Sequence, residues 1–304
     1  MNKRRRLPSI VRIVKRDGRL NIVGMDAWHS YWRDPYHLLL TIPWPGFLAL
    51  MALGYVVANA LFALAYLAGG DGIENARPGN FLDTFFFSVQ TMASIGYGAM
   101  YPRTAYANML VTIESVVGLM GLAMGTGLGF ARFSRPTARV MFSRMAVIAP
   151  FDGVPTLMFR AANQRRNQIL EAQLRVRLTR DEVTTEGEFM RRVYDLKLVR
   201  SQNPLFSLSW TALHPIDEQS PLHGATAEML AAAETTIIVT LSGIDETVAQ
   251  TIYARHIYAA QEILWNMRFA DILLVMPDGQ RRVDYSRFHD VVPVERGKNQ
   301  AGRI

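Results

Sequence analysis

The sequence predicts a helical membrane unit of two spans with a re-entrant segment between them, followed by an all-β domain. Three observations carry that prediction. From Pro35 to Gly70 there is no Asp, Glu, Lys or Arg. A second apolar run, Ala105 to Ala131, carries one charge, Glu114. After Arg139 the pattern changes to short runs with alternating apolar residues, separated by turn signals.

The N-terminal part, 1–41, is basic, with "KRRR" at Lys3–Arg6. The chain of 304 residues has a net charge of +7, and this clustering points to a membrane surface and not to nucleic acid. Trp28 to Ile42 reads as an amphipathic, aromatic-rich interfacial helix. The first apolar run lies too far into the chain, and lacks a nearby small-residue cleavage site, so no signal peptide is expected.

The first span covers 42–68 and the second 105–133. About 20 helical residues cross a hydrocarbon core, so either run suffices and exceeds an ordinary core helix. Trp44 and Tyr66 sit where interfacial aromatic belts would place them. The flank before the first span and the "ARFSRPTAR" stretch after the second are basic, whereas 69–104 has more acids than bases. The positive-inside rule then puts both termini in the cytoplasm of a multi-pass protein of the cell membrane.

Between the spans, Asn80 to Met92 is apolar, but its helical length of roughly 20 Å is too short to cross. It must turn back, and the non-helical backbone after it needs polar partners that lipid does not offer. A desolvated cation supplies such a partner to carbonyls. Gly96 and Gly98 reach backbone angles closed to other residues, so successive carbonyls can point one way. Tyr97 then turns outward, toward aromatics such as Phe85 to Phe87.

The membrane unit ends at 138 and the β domain runs over 139–304. Turns are expected at Asp152-Gly153, Thr184–Glu188 and Met276–Gln280, a half-buried strand over Leu170–Arg180, and one short helix near Gly224–Glu234 with Thr226 as N-cap. This pattern argues a β-sandwich. Cys is absent, and the six His are scattered without metal-ligand spacing. No G-x-S-x-G, H-E-x-x-H or P-loop occurs, so no enzyme and no organic cofactor is expected.

"TMASIGYG" resembles the potassium-channel selectivity filter T-x-x-T-V-G-Y-G: Thr91 and Ser94 match its two threonines, Ile95 its valine, and Gly96-Tyr97-Gly98 the rest. "LMFRAANQRRNQILEAQLRVRL", "TTEGE", "HPIDEQSPLHG", "EILW" and "VDYSRFH" follow in the order of the inward-rectifier potassium channels, and the resemblance covers about Trp32 to Glu295. It implies a homotetramer with an immunoglobulin-like cytoplasmic assembly. In it, K⁺ is held by the carbonyls of Ser94, Ile95, Gly96 and Tyr97 with the Ser94 hydroxyl.

The same resemblance implies further roles. Phe130 matches the constriction where the inner helices meet, and Leu122 the site where strongly rectifying relatives carry an acid, so block by Mg²⁺ or polyamines should be weak. Gly243 and Ile244 match a loop that narrows the cytoplasmic pore; Asp245, Glu246, Glu186 and Glu188 are candidate acids lining it. Arg132, Arg135 and Arg139 are candidates for anionic lipid headgroups, including phosphoinositide, with the sign of that effect open. Gln90 and Ala99 depart from acids common in relatives, which puts the usual bracing of the filter in doubt. Glu114 favours a structural role beside the pore helix over ion binding. The glycines at 118, 121, 125, 127 and 129 serve either bending or close packing.

Overall fold

The computed structural model describes residues 12–16, 19–23, 34–275 and 280–294. The chain forms two compact units, Asp26–Arg135 and a second that joins Met1–Met25 to Pro136–Ile304. Strands β1 (Arg12–Arg16) and β2 (Arg19–Val23), an antiparallel pair, therefore group with the C-terminal domain. The basic Lys3–Arg6 cluster, Trp28 to Arg33, and most of the expected 276–280 turn lie outside the described residues.

The first unit is helical. Helix α1 (Pro35–Thr41) begins at Asp34, whose carboxylate accepts the His37 N–H at 3.0 Å, with Pro35 where its missing donor costs nothing. It ends at Ile42, held extended (ψ 151°) by the proline that follows. Helix α2 (Trp44–Ala68) thus starts two residues later than the apolar run alone suggests. Helix α3 (Phe81–Met92) is capped by Asn80 and helix α4 (Ala105–Phe133) by Thr104, each side chain accepting a first-turn N–H. Helices α2 and α4 have mean hydropathies of 2.1 and 1.6. Only 17% and 6% of their most apolar windows is buried within the chain, which does not suit the core of a soluble protein.

A two-residue pairing fixes the path between them. Strand β3 (Ile73–Glu74) pairs antiparallel with β4 (Tyr101–Pro102), so the chain that enters α3 comes back beside its own start. Arg103 locks the junction through the Asp71 carbonyl and carboxylate, at 2.9 and 2.7 Å. The segment is re-entrant.

The second unit is a sandwich of two sheets. Its strands are β5 (Val140–Phe142), β6 (Ala146–Phe151), β7 (Val154–Asn163), β8 (Ile169–Val183), β9 (Phe189–Leu196), β10 (Gln202–Phe206), β11 (Ser209–Pro215), β12 (Thr236–Asp245), β13 (Gln250–Ala259) and β14 (Ile263–Trp265). One sheet has the order β10-β8-β12-β13 with β9 also on β8; the other runs β11-β7-β6-β14 with β5 also on β7. Helix α5 (Ala227–Ala232) starts at the Thr226 cap. Small antiparallel pairs close the domain: β15 (Met267–Phe269) with β18 (Val291–Pro293), and β16 (Leu273–Val275) with β17 (Arg281–Val283).

The inner faces meet in one core that includes Trp210, Tyr258, Phe159, Phe206, Leu174, Leu178, Ile237 and Leu241. Asp152 and Gly153, both at positive φ, make the two-residue turn that joins β6 to β7. Strand β8 alternates as expected from Ala172 to Leu178, but its phase is set by a bulge: Glu171 takes φ +48° and the register against β12 slips opposite Gly243.

His214 is buried among these strands. Its Nδ1 faces the Lys197 carbonyl at 2.7 Å and its Nε2 the Ser220 hydroxyl at 2.8 Å. A carbonyl only accepts, so Nδ1 carries the hydrogen and Nε2 accepts from Ser220. Burial pushes its pKa down, against the opposing pull of the Lys197 carbonyl and Asp217. Between the lowered folded value and the ordinary one of about 6.5, the unfolded chain binds more protons, so stability is lost as pH falls through that window. The unfolding midpoint of the full chain in detergent should therefore drop between about pH 7.5 and pH 5.5, and drop less for His214→Gln.

Candidate functional site

The site begins where α3 stops. Its last turn leaves carbonyls without helical partners, and the following residues take them: the Ser94 N–H donates to the Thr91 carbonyl at 3.0 Å and the Ile95 N–H to Gln90 at 2.8 Å. The Thr91 hydroxyl donates back to the Phe87 carbonyl at 2.9 Å. From Ser94 the chain runs without helix or strand to Gly98, every residue exposed.

Within that run φ alternates in sign. Ser94 is at +55°, Gly96 at +60° and Gly98 at +78°, whereas Ile95 and Tyr97 are not among the positive-φ residues. In an ordinary strand successive carbonyls alternate sides; when φ changes sign at every residue they turn toward one side. Glycine accepts this freely, but a serine in the left-handed region costs about 1–2 kcal/mol. Local strain of this kind clusters at ligand-binding segments.

The side chains here differ in part from expectation. Tyr97 is 73% exposed and pairs with no aromatic ring among the described residues. Phe87 instead meets Tyr66 edge-on at 5.2 Å, and Phe85 meets Phe81 and Phe86. Tyr66 does not belong to an interfacial belt: it is buried, with its hydroxyl donating to Glu114 Oε2 at 2.6 Å.

Glu114 anchors a buried polar cluster behind α3. Ser88 Oγ is within hydrogen-bond reach of both Glu114 Oε1 and Asn59 Oδ1, the latter at 3.0 Å. Asn59 Nδ2 donates to the Tyr55 carbonyl at 2.8 Å and to Met92 Sδ at 3.4 Å. Asn59, Ser88 and Glu114 are fully buried. Leaving any one unpaired would cost about 1–3 kcal/mol, so completeness is what lets them be there. One turn beyond Glu114, a Cβ on Gly118 would collide with the Met92 carbonyl, so this glycine is required for close packing against α3. A Cβ on Gly121, Gly125, Gly127 or Gly129 would meet nothing within 4 Å outside its own helix turn among the described residues.

Farther along α4, Leu122 and Phe130 are 70% and 74% exposed, bare of their own chain. Arg132 is committed elsewhere than to lipid. Its guanidinium donates to the carbonyls of Leu39 and Ile42 at the end of α1, and lies 4.8 and 4.7 Å over the rings of Trp44 and Phe47. Arg135 is exposed, with one bond to the Leu40 carbonyl at 3.2 Å, and Arg139 is exposed.

In the sandwich the candidate acids divide. Glu186, Glu188 and Glu246 are exposed. Asp245 is 1% exposed and spends its charge internally, on Arg165 at 2.7 Å, Asn167 at 2.7 Å and the Thr247 N–H at 2.9 Å. Burial pushes its pKa up, and those three donors more than offset this, holding it below the usual carboxylate range. It is a structural ion pair and not a free acid. Gly243 is likewise no lining residue: it is buried, and a Cβ would press on Ile169 Cγ2 and the Leu170 carbonyl. Ile244 beside it is 38% exposed.

A re-entrant half-helix between two apolar spans, joined to a β-sandwich, defines an ion channel of the two-span class. Residues 48–134 match the family model described as ion channel, and 140–303 that of the inward rectifier potassium channel C-terminal domain. The chain is 50% identical over 281 residues to the inward rectifier potassium channel Kirbac3.1 of Paramagnetospirillum magnetotacticum, covering 92% of this chain and 95% of that one. It is 33% identical over 309 residues to the ATP-sensitive inward rectifier potassium channel 12 of Gallus gallus, covering 93% and 72%. It is 32% identical over 305 residues to the G protein-activated inward rectifier potassium channel 2 of Mus musculus, covering 92% and 72%. The chain belongs to the inward rectifier potassium channel family.

Removing the buried charge tests the Asp245 assignment. Asp245→Asn should lower the stability of the full chain by about 1–3 kcal/mol, less than the roughly 3–5 kcal/mol of a fully buried broken pair because Arg165 is 33% exposed. Denaturant unfolding followed by tryptophan fluorescence measures it.

Proposed function

We propose that four copies of this chain surround one pore and conduct K⁺ passively across the cell membrane, with both termini cytoplasmic. The observation that carries this reading is the alternating sign of φ from Ser94 to Gly98, a pattern that allows the carbonyls of Ser94, Ile95, Gly96 and Tyr97 to turn to one side. Four such segments, with the Ser94 hydroxyls, make rings of oxygens that replace the hydration shell of the ion. Thr91 ends the pore helix beneath them and Gly98 closes the segment.

Bare apolar surface supports the fourfold assembly. Ile95, Tyr97, Leu122 and Phe130 are all exposed in one chain, and neighbouring copies would cover or face them. Phe130 closes the inner end of the pore by excluding water, under the control of the cytoplasmic domain. Leu122 brings no charge to the pore, so Mg²⁺ and polyamines block weakly, drawn only by Glu186, Glu188 and Glu246. Arg135 and Arg139 remain for anionic headgroups, phosphoinositide included, whereas Arg132 is already occupied.

Proteoliposomes of the purified protein should take up radioactive Rb⁺, with Ba²⁺ blocking the uptake and Na⁺ failing to replace the ion. Uptake no greater than in empty vesicles, from well-folded tetramer, would sink the reading. In planar bilayers the wild type should show shallow block by spermine, and Leu122→Asp should steepen it, lowering the blocking concentration by at least about tenfold, roughly 1.4 kcal/mol.

A further inference from the structure

Two helical repeats face each other behind the re-entrant segment. Ser88 and Met92 lie one turn apart on α3, and Glu114 and Gly118 lie one turn apart on α4. Glu114 meets Ser88, and Gly118 receives the Met92 carbonyl. From the other side Asn59 of α2 reaches both members of the α3 pair, Ser88 at 3.0 Å and Met92 Sδ at 3.4 Å. The last turn of α3 is therefore clamped between two spans at two successive levels.

That turn is stitched to the segment that follows. Ser94 and Ile95 hang from the carbonyls of Thr91 and Gln90, at 3.0 and 2.8 Å. A shift of the last turn moves the first two carbonyls of the proposed ion ring with it. Nothing at Gln90 or Ala99 supplies a charge to steady the segment instead.

We propose that Asn59, Ser88, Glu114 and Gly118 are positioning residues for ion selection, acting on Ser94 and Ile95 through Met92. The inference rests on the reading of Ser94–Tyr97 as the filter. It assigns selectivity to a neutral-and-acid cluster buried outside the pore, in place of charges next to the filter. Such a hydrogen-bonded network holds a geometry more tightly than its separate bonds would.

One substitution separates this role from bulk stability. In Glu114→Gln the amide nitrogen donates to Ser88, whose single hydroxyl hydrogen then serves Asn59, and the amide oxygen still accepts from Tyr66. All the bonds survive without a carboxylate. Ser88→Ala removes the central link, and Gly118→Ala pushes the Met92 carbonyl away.

The experiment measures the K⁺-to-Na⁺ permeability ratio in planar bilayers for full-length wild type and variants, with tetramer yield from size-exclusion chromatography. Glu114→Gln should keep the wild-type ratio within about twofold, while Ser88→Ala and Gly118→Ala lower it by about tenfold or more. Variants with reduced yield but a wild-type ratio would assign these residues to folding alone and overturn the inference. If Gly118→Ala yields no tetramer, Ser88→Ala decides the matter by the same ratio. A wild type that conducts without preferring K⁺ overturns the filter reading itself, and the brace with it.

Discussion

A backbone that enters the membrane and leaves on the same side must find partners for every polar group it carries. Most of this structure's first unit answers that demand. Helix α3 satisfies its own interior, Asn80 caps one end, and Ser94 and Ile95 cover carbonyls at the other. The β3–β4 pair and Arg103 close the loop at the surface. What remains is the short run to Gly98, where φ alternates in sign. The proposed ion is the partner for that remainder.

The same demand governs the side chains behind α3. A lone glutamate in an apolar span is expensive, and Ser88 and Tyr66 meet it from two other helices, with Asn59 bonded in turn to Ser88. Each of these is tolerated only because the others are present. The cluster thereby fixes the relative rotation of three helices, which packing of Leu and Val alone would specify less sharply.

Much of this was legible in the sequence, for identifiable reasons. Span length and lack of charge are local properties, so α2 and α4 appear within two residues of their expected starts. The Asp152-Gly153 turn and the Thr226 cap were equally readable, because φ preference and capping depend on neighbours in the chain. Pairings across long separations were not. Asp245 looks like a free loop acid until Arg165, 80 positions away, is brought against it. Arg132 looks like a lipid ligand until the end of α1, some 90 positions upstream, offers two carbonyls. Tyr66 matched an interfacial belt because its partner Glu114 lies 48 positions on. The grouping of β1 and β2 with the sandwich carried no local signal at all in their basic, weakly alternating sequence.

The five glycines of α4 show how the helix divides. By sequence they were equivalent, each serving bending or packing. In the fold only Gly118 meets a neighbour, the Met92 carbonyl, and the other four are bare of their own chain. The helix is thus held at Glu114 and Gly118 and again near its end, where Arg132 grips α1 and Phe133 lies 4.6 Å from the Trp44 ring. Between these two anchors lie Gly121, Gly125, Gly127 and Gly129, each lowering the helix's stiffness by removing side-chain packing and about 1 kcal/mol of helical preference. A bend that moves Phe130 while sparing Met92 has to be taken up there. In the proposed bracing, the upper anchor at Glu114 and Gly118 stands between that bend and Met92.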